Sequence, residues 1–273
     1  MNKMQSSSLS PVLFLPHGGG PLPLFGDPGH ATMIRFLDSI SSRLGSPDAI
    51  LIISAHWEES RPTITSKSDP GLYYDYYNFP EEAYHIDYPV SGSSALTKKV
   101  SQLLAEQGIE SQLDDQRDFD HGVFVPMKLL YPEANIPIVQ LSLMNSLDPE
   151  AHIRLGQALA PLRSENVLIV GSGLSFHNMG AFRASSGGGL DENGNIAFED
   201  WLIEACTSKM IDEKERAQRL SHWDSAPFAR YCHPREEHLL PLHVCYGAGG
   251  SAAELVFEDK ILGMKTSGFL WQD

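Results

Sequence analysis

The sequence predicts an α/β protein with a central, mostly parallel or mixed sheet, helices on both faces, and an active site at the carboxyl ends of the strands. Three observations carry that expectation. Four short apolar runs, PVLFLP (11–16), AILIIS (49–54), IPIVQLSL (136–143) and NVLIVGS (166–172), lack polar alternation. Strands read this way when both faces of the sheet are covered. Amphipathic helical segments separate the runs, and strands alternating with helices favour parallel pairing. Third, several of the runs lead directly into small residues and a histidine.

Taken in order, PVLFLP runs into His17 and then Gly18, Gly19 and Gly20. Met33, Leu37, Ile40 and Leu44 then step by four, three and four, with Gly45 as the stop. The second run ends in SAHW, with His56 two residues beyond it. The stretch 71–89, GLYYDYYNFPEEAYHIDYP, is dense in tyrosine and is expected to wall a pocket mouth. Leu96, Val100, Leu103 and Leu104 mark a second helix, stopped by Gly108. RDFDHGVFVPM sets His121 between an acidic turn and an apolar segment. Asp148 and Pro149 are a helix N-cap and first position, followed by Leu155, Leu159 and Leu162. His177 follows the fourth run after Gly171, Ser172 and Gly173. A Gly/Ser-rich stretch at 184–195, with Gly187–Gly189, is expected to be a loop near the same pocket. In HPREEHLLPLH, Pro234 suits a first helical position, which would set His238 about one turn into a helix. Residues 1–10 are expected to be poorly ordered and 11–273 to form one catalytic domain.

Composition narrows the function classes. The formal charge of −15, from 35 acidic and 20 basic residues, argues against nucleic-acid or membrane-surface partners. Three scattered cysteines make no disulfide framework, and no apolar run reaches the ~20 residues of a membrane span. The N-terminus lacks the apolar core of a signal peptide, so a cytoplasmic protein is expected. Oligomeric state is not legible.

The histidines carry the chemistry. In open α/β sheets ligands bind at the carboxyl ends of strands, which would gather His17, His56 and His177 at one edge. A single histidine there is ordinarily a hydrogen-bonded structural residue; recurrence at three strand ends favours a site. Three converging imidazoles suit zinc, iron or copper. Neither CxxC nor HExxH is present, and GSGLS is not the GxSxG elbow of a serine hydrolase.

The blocks LFLPHGG, IISAHW, FDHGVFVPMKLLYPEANIPIVQLSL, GSGLSFHN and PREEHLLPL together resemble the LigB-like extradiol ring-cleaving dioxygenases, in the branch named for 4,5-DOPA extradiol dioxygenase. The resemblance runs from about Leu13 to Gly247. It implies metal ligands at His17, His56 and His238, a catalytic acid/base at His177 and an accompanying role for His121. Glu236 and Glu237, beside His238, are the alternative third ligands. It further implies Fe(II) for activity, with Zn(II) able to fill the same site. The implied substrates are a catechol-type small molecule and O2, opened to a muconic semialdehyde. The glycines at 18–20 would leave room for the substrate beside the metal. A zinc-dependent hydrolase on the same histidines and a Memo-like, non-catalytic binding protein are the competing readings.

Overall fold

The protein is described by a computed structural model over residues 9–184 and 191–272, the side chains of 183 and 184 apart. Its strands are β1 (Val12–Pro16), β2 (Ala49–Glu59), β3 (Thr63–Thr65), β4 (Gln112–Asp114), β5 (Ile138–Met144), β6 (Val167–Gly173), β7 (Glu254–Ile261) and β8 (Met264–Trp271). They form one sheet in the order β4-β3-β5-β2-β6-β1-β8-β7. The four apolar runs are its centre: β5, β2, β6 and β1 lie parallel. The flanks are mixed, because β3 and β8 pair antiparallel with β5 and β1, and β7 antiparallel with β8.

The helices are α1 (Ala31–Leu44), α2 (Ser94–Glu106), α3 (His121–Leu130), α4 (Pro149–Leu159), α5 (Met179–Ala184), α6 (Glu192–Thr207), α7 (Glu213–Ser221), α8 (Ala229–Cys232) and α9 (Leu240–Gly249). Successive strand residues face opposite ways, so the unbroken apolar runs feed two cores. Leu13, Leu15, Ile50 and Ile52 pack with Met33 and Leu37 of α1 and Phe124 of α3. Val12, Phe14, Leu51 and Ile53 belong to the other core, with Val100 of α2, Leu155 of α4 and Val244 of α9.

Three local expectations are refined. The second strand does not stop before His56. It runs to Glu59, but its pairing with β6 ends at Ser54 and its register with β5 shifts between Ile53 and Glu58. His56 therefore sits on an irregular stretch where the shared sheet gives out. His238 lies in a turn and not in a helix: the nearest helix begins at Leu240, with Pro241 in its first turn. Its backbone carbonyl accepts the amide of Leu174, 3.0 Å away, which ties it to the end of β6 in place of an intrahelical partner. The helix begun at Pro149 ends at Leu159, and Leu162 packs from the 3-10 turn that follows.

Of the expected tail, residues 1–8 lie outside the described residues. Ser10 is buried, its amide bonded to the carbonyl of Arg163 and its carbonyl to the Arg163 guanidinium.

Candidate metal centre

His17 leaves β1 with its amide still bonded to the carbonyl of Gly173, which extends the β1–β6 ladder by one residue. Gly18 follows at φ +82°, where a side chain is strained. A Cβ there would also stand 2.8 Å from the ring of His30. His30, buried and held by Asp27 at 2.7 Å, accepts the amide of Gly19 at 2.9 Å and so props the turn. Gly18 is thus required by the turn and by His30, in addition to bordering the cavity.

His56 is fixed by a buried polar cluster. Its amide bonds to Ser54 Oγ and its carbonyl accepts from Arg117. Both groups converge on Asp120, which also accepts from Gln140 at 2.6 Å. Gly173 brings in the third imidazole, since a Cβ at that position would collide with the carbonyl oxygen of His238.

Hydrogen bonds define which ring nitrogens carry lone pairs. The hydroxyl of Ser172 donates to the carbonyl of Gly122. It therefore accepts from His17 Nδ1, 3.1 Å away. Glu237 Oε1 lies 2.9 Å from His238 Nδ1, and Asp75 Oδ2 lies 3.6 Å from His56 Nδ1. Ionised carboxylates only accept, so in neutral His17 and His238 the proton sits on Nδ1 and the lone pair on Nε2; at 3.6 Å Asp75 is a charged neighbour of His56 and not its hydrogen-bond acceptor. Yet the Nε2 atoms of His17 and His56 face each other at 3.2 Å. A proton on His56 Nε2 donated to His17 satisfies that contact, and so does a cation shared by the two lone pairs. Imidazole nitrogens sharing a metal at about 2.1 Å stand roughly 3.0–3.4 Å apart. One ligand atom from each of His17, His56 and His238 lies within 4.8 Å of the others. The donor set fits a divalent transition metal, and the rings of His17 and His238 have the outer partners that orient metal-binding histidines.

Electrostatics agree with that fit. Burial, and next the neighbouring imidazoles, push His17 and His238 well below the usual histidine range. His56 is lowered to about 3, again first by burial and then by His121. All three rings are neutral near pH 7. Burial alone would raise Glu237, but hydrogen bonds from His177 and His238 outweigh it and hold the carboxyl well below its usual range. Asp75 is likewise held low, by His121 and His56 against the effect of burial.

His177 and His121 flank the trio. The His177 ring stacks on that of His238 at 3.4 Å between centroids, with Nδ1 at 3.3 Å from Glu237 Oε1. His121 is the first residue of α3 and gives both its amide and its Nδ1 to Asp75 Oδ1, at 3.0 and 2.7 Å. The five histidines expected at the site are thus brought together. Glu237 touches two ring Nδ1 atoms and lies behind the trio, and Glu236 pairs outward with Arg230. Asp75 and Ser172 were not singled out by sequence. A lone acid among five aromatics in YYDYYNF was the one available signal for Asp75.

A cavity of about 430 Å³ opens over the histidines. The tyrosine-rich stretch supplies Asp75, Tyr76, Tyr77 and Phe79 to its wall, and Tyr88 packs away against α3. Gly187–Gly189 lie outside the described residues, although Met179 and Phe182 of α5, just before them, line the cavity.

A parallel-centred sheet that gathers neutral imidazoles at its carboxyl edge, under an apolar-walled cavity, defines an α/β protein with a histidine cluster that could hold a metal ion. Comparison with known proteins narrows the class. Residues 12–267 match the family described as the catalytic LigB subunit of aromatic ring-opening dioxygenase. The chain belongs to the LigB family. It is 41% identical to dioxygenase tasH of Hapsidospora irregularis, over 96% of this chain and 86% of that protein. It is 37% identical to a 4,5-DOPA dioxygenase extradiol of Beta vulgaris, over 91% of each. A crystal structure of an uncharacterised protein from Escherichia coli K12 superposes with a TM-score of 0.77 at 27% identity, covering 96% of this chain and 99% of that one.

Proposed function

We propose that the protein is a non-haem iron(II) extradiol dioxygenase that opens a catechol-type ring, DOPA-like or otherwise substituted, with O2 to a muconic semialdehyde. One observation supports the reading: one ligand atom from each of His17, His56 and His238 lies within 4.8 Å of the others, while the Nδ1 atoms of His17 and His238 are hydrogen-bonded to outer partners. His17, His56 and His238 are the ligands in this reading. Three protein ligands would leave such a metal open to substrate. Iron(II), if held by these residues, would supply the redox chemistry that lets O2 react with an aromatic ring.

The chain's own part is binding and proton movement. His177 Nε2 takes the proton of a catechol hydroxyl and returns it to the opening product. Glu237 keeps the proton of that ring on Nδ1, so Nε2 is the basic atom, and stabilises the imidazolium once formed. His121, oriented by Asp75, offers a second acceptor at the cavity wall. Tyr76, Phe79 and Leu174 exclude water from the ring. Both oxygen atoms enter the product, so no further reductant is needed. The three cysteines are buried and free, which suits a reducing cytoplasm.

The test is anaerobic loading with Fe(II) or Zn(II), followed by a panel of catechols in air and the visible absorbance of the semialdehyde. Ring opening with iron and none with zinc is expected. His56→Ala should abolish stoichiometric iron binding and turnover together. Turnover of an ester or amide by the zinc form alone would favour a hydrolase. Catechol binding without ring opening by the iron form would favour a non-catalytic protein.

A further inference from the structure

Arg235 joins two carboxylates that belong to different parts of the histidine cluster. Its guanidinium gives Nη1 to Glu58 Oε1 and Nη2 to Glu58 Oε2, at 2.6 Å each. The same Nη1 lies 3.3 Å from Glu237 Oε2. Glu58 is on β2, two residues beyond His56, where the pairing with β5 resumes opposite Leu143. Glu237 immediately precedes His238. The bridge crosses 177 positions of sequence and ties the strand of one proposed ligand to the turn that carries another.

Glu237 stands between this bridge and the rings. Its Oε1 faces the Nδ1 atoms of His238 and His177, at 2.9 and 3.3 Å. Its Oε2 is buried, and the guanidinium is the cation it faces. The last torsion of a glutamate is broad, so a cation held on one oxygen selects the orientation that aims the other at the rings. Arg235 is itself held, because a planar fork on a carboxylate sets direction as well as distance. Folding stability gives little reason for the arrangement. The Arg235 side chain is 52% exposed, and ion pairs made by exposed groups contribute little to it.

We infer that Arg235 is a positioning residue: anchored by Glu58, it fixes the Glu237 carboxylate and through it the His238 ring that holds the metal. The inference rests on the reading of His238 as a ligand and not on ring opening. Charge alone predicts the opposite sign. A fixed cation near the site repels a second cation, so its removal would tighten metal binding, whereas loss of an orienting partner weakens it.

Chelator competition on the full chain, with Co(II) as the probe, decides the sign. The visible bands of the bound ion and the Tm of the metal-free protein are read on the same preparations. Arg235→Gln should bind Co(II) roughly tenfold more weakly than the parent and change the shape of its bands. Arg235→Lys should lose a similar factor, because an ammonium restores the charge without the fork. The metal-free Tm of both should stay within about 3 °C of the parent. Equal or tighter binding by Arg235→Gln would overturn the inference, and so would parent affinity in Arg235→Lys, by showing that charge suffices. Parent bands in both variants would overturn it too, since the ligand ring would not have moved. A larger fall of Tm in both would make the arginine a packing residue and overturn it as well. A parent that binds no Co(II), or His238→Ala binding as tightly as the parent, would remove the ligand reading and the inference with it. Where the parent binds, His238→Ala does not and the Arg235 variants match the parent, the ligand reading stands and only the role of Arg235 falls.

Discussion

Glu237 Oε1 lies within 3.3 Å of two imidazole Nδ1 atoms, one on a proposed ligand and one on the proposed base. The two rings should separate on mutation. His177→Ala is expected to retain iron and catechol binding while ring opening slows by about 10²–10⁴-fold; iron content and rate on one sample check it, and loss of iron would make His177 a ligand. Glu237→Gln should weaken metal binding by roughly 10–100-fold, read by competition with a chelator, because the outer partner of His238 is lost. Gly173→Ala should cost about 1–3 kcal/mol of stability and displace His238, which denaturant titration and metal stoichiometry would register. How legible each residue was follows from the range of its interactions. His17, His56 and His177 stand beside apolar runs, so the local text exposes them. Ser172 meets His17 across 155 positions and Asp75 meets His121 across 46; no local pattern encodes such pairs.

At the level of elements, the parallel centre was legible because its strands are buried on both faces and read as unbroken apolar runs. The short β3 and β4 lack such a run and were not seen. HPREEHLLPLH contains two prolines that could each open a helix. The second does, because the carbonyl of His238 is occupied by Leu174 at the end of β6. A different consequence follows where α6 packs on β8. Glu199 of α6 is buried, with Ser267 Oγ donating at 2.6 Å. Burial raises its carboxyl from 4.5 to about 7, against the opposing pull of Ser267, Ser175 and Lys265. The folded chain therefore holds this proton more tightly than the unfolded chain. The associated stabilisation is complete below about pH 4.5 and is lost as pH rises to about 7. Relative to Glu199→Gln, stability of the parent should fall by roughly 3 kcal/mol between pH 4 and pH 8. Paired denaturant titrations across that range would expose an unchanged difference, which would refute it.

Across the whole molecule, the proposed metal ties together the end of β1, the irregular stretch of β2 and the turn before α9. An ion that binds only the folded chain stabilises it by mass action, about 2.7 kcal/mol at a hundredfold excess over Kd. For a chain of this size, chelation should lower Tm by roughly 5 °C or more, and His56→Ala should abolish the dependence. Differential scanning with and without chelator measures both. The position of β1 between β6 and β8 bears on biosynthesis as well. At about 5–20 residues per second, the ribosome needs roughly 8–30 s after His17 to deliver Ser172, its partner 155 residues on. Until then the first strand has neither neighbour and its histidine has no fixed tautomer. The nitrogen of His238 emerges later still. A nascent chain thus presents unassembled imidazoles, and an ion at the proposed site can be captured only by a polypeptide that is nearly complete.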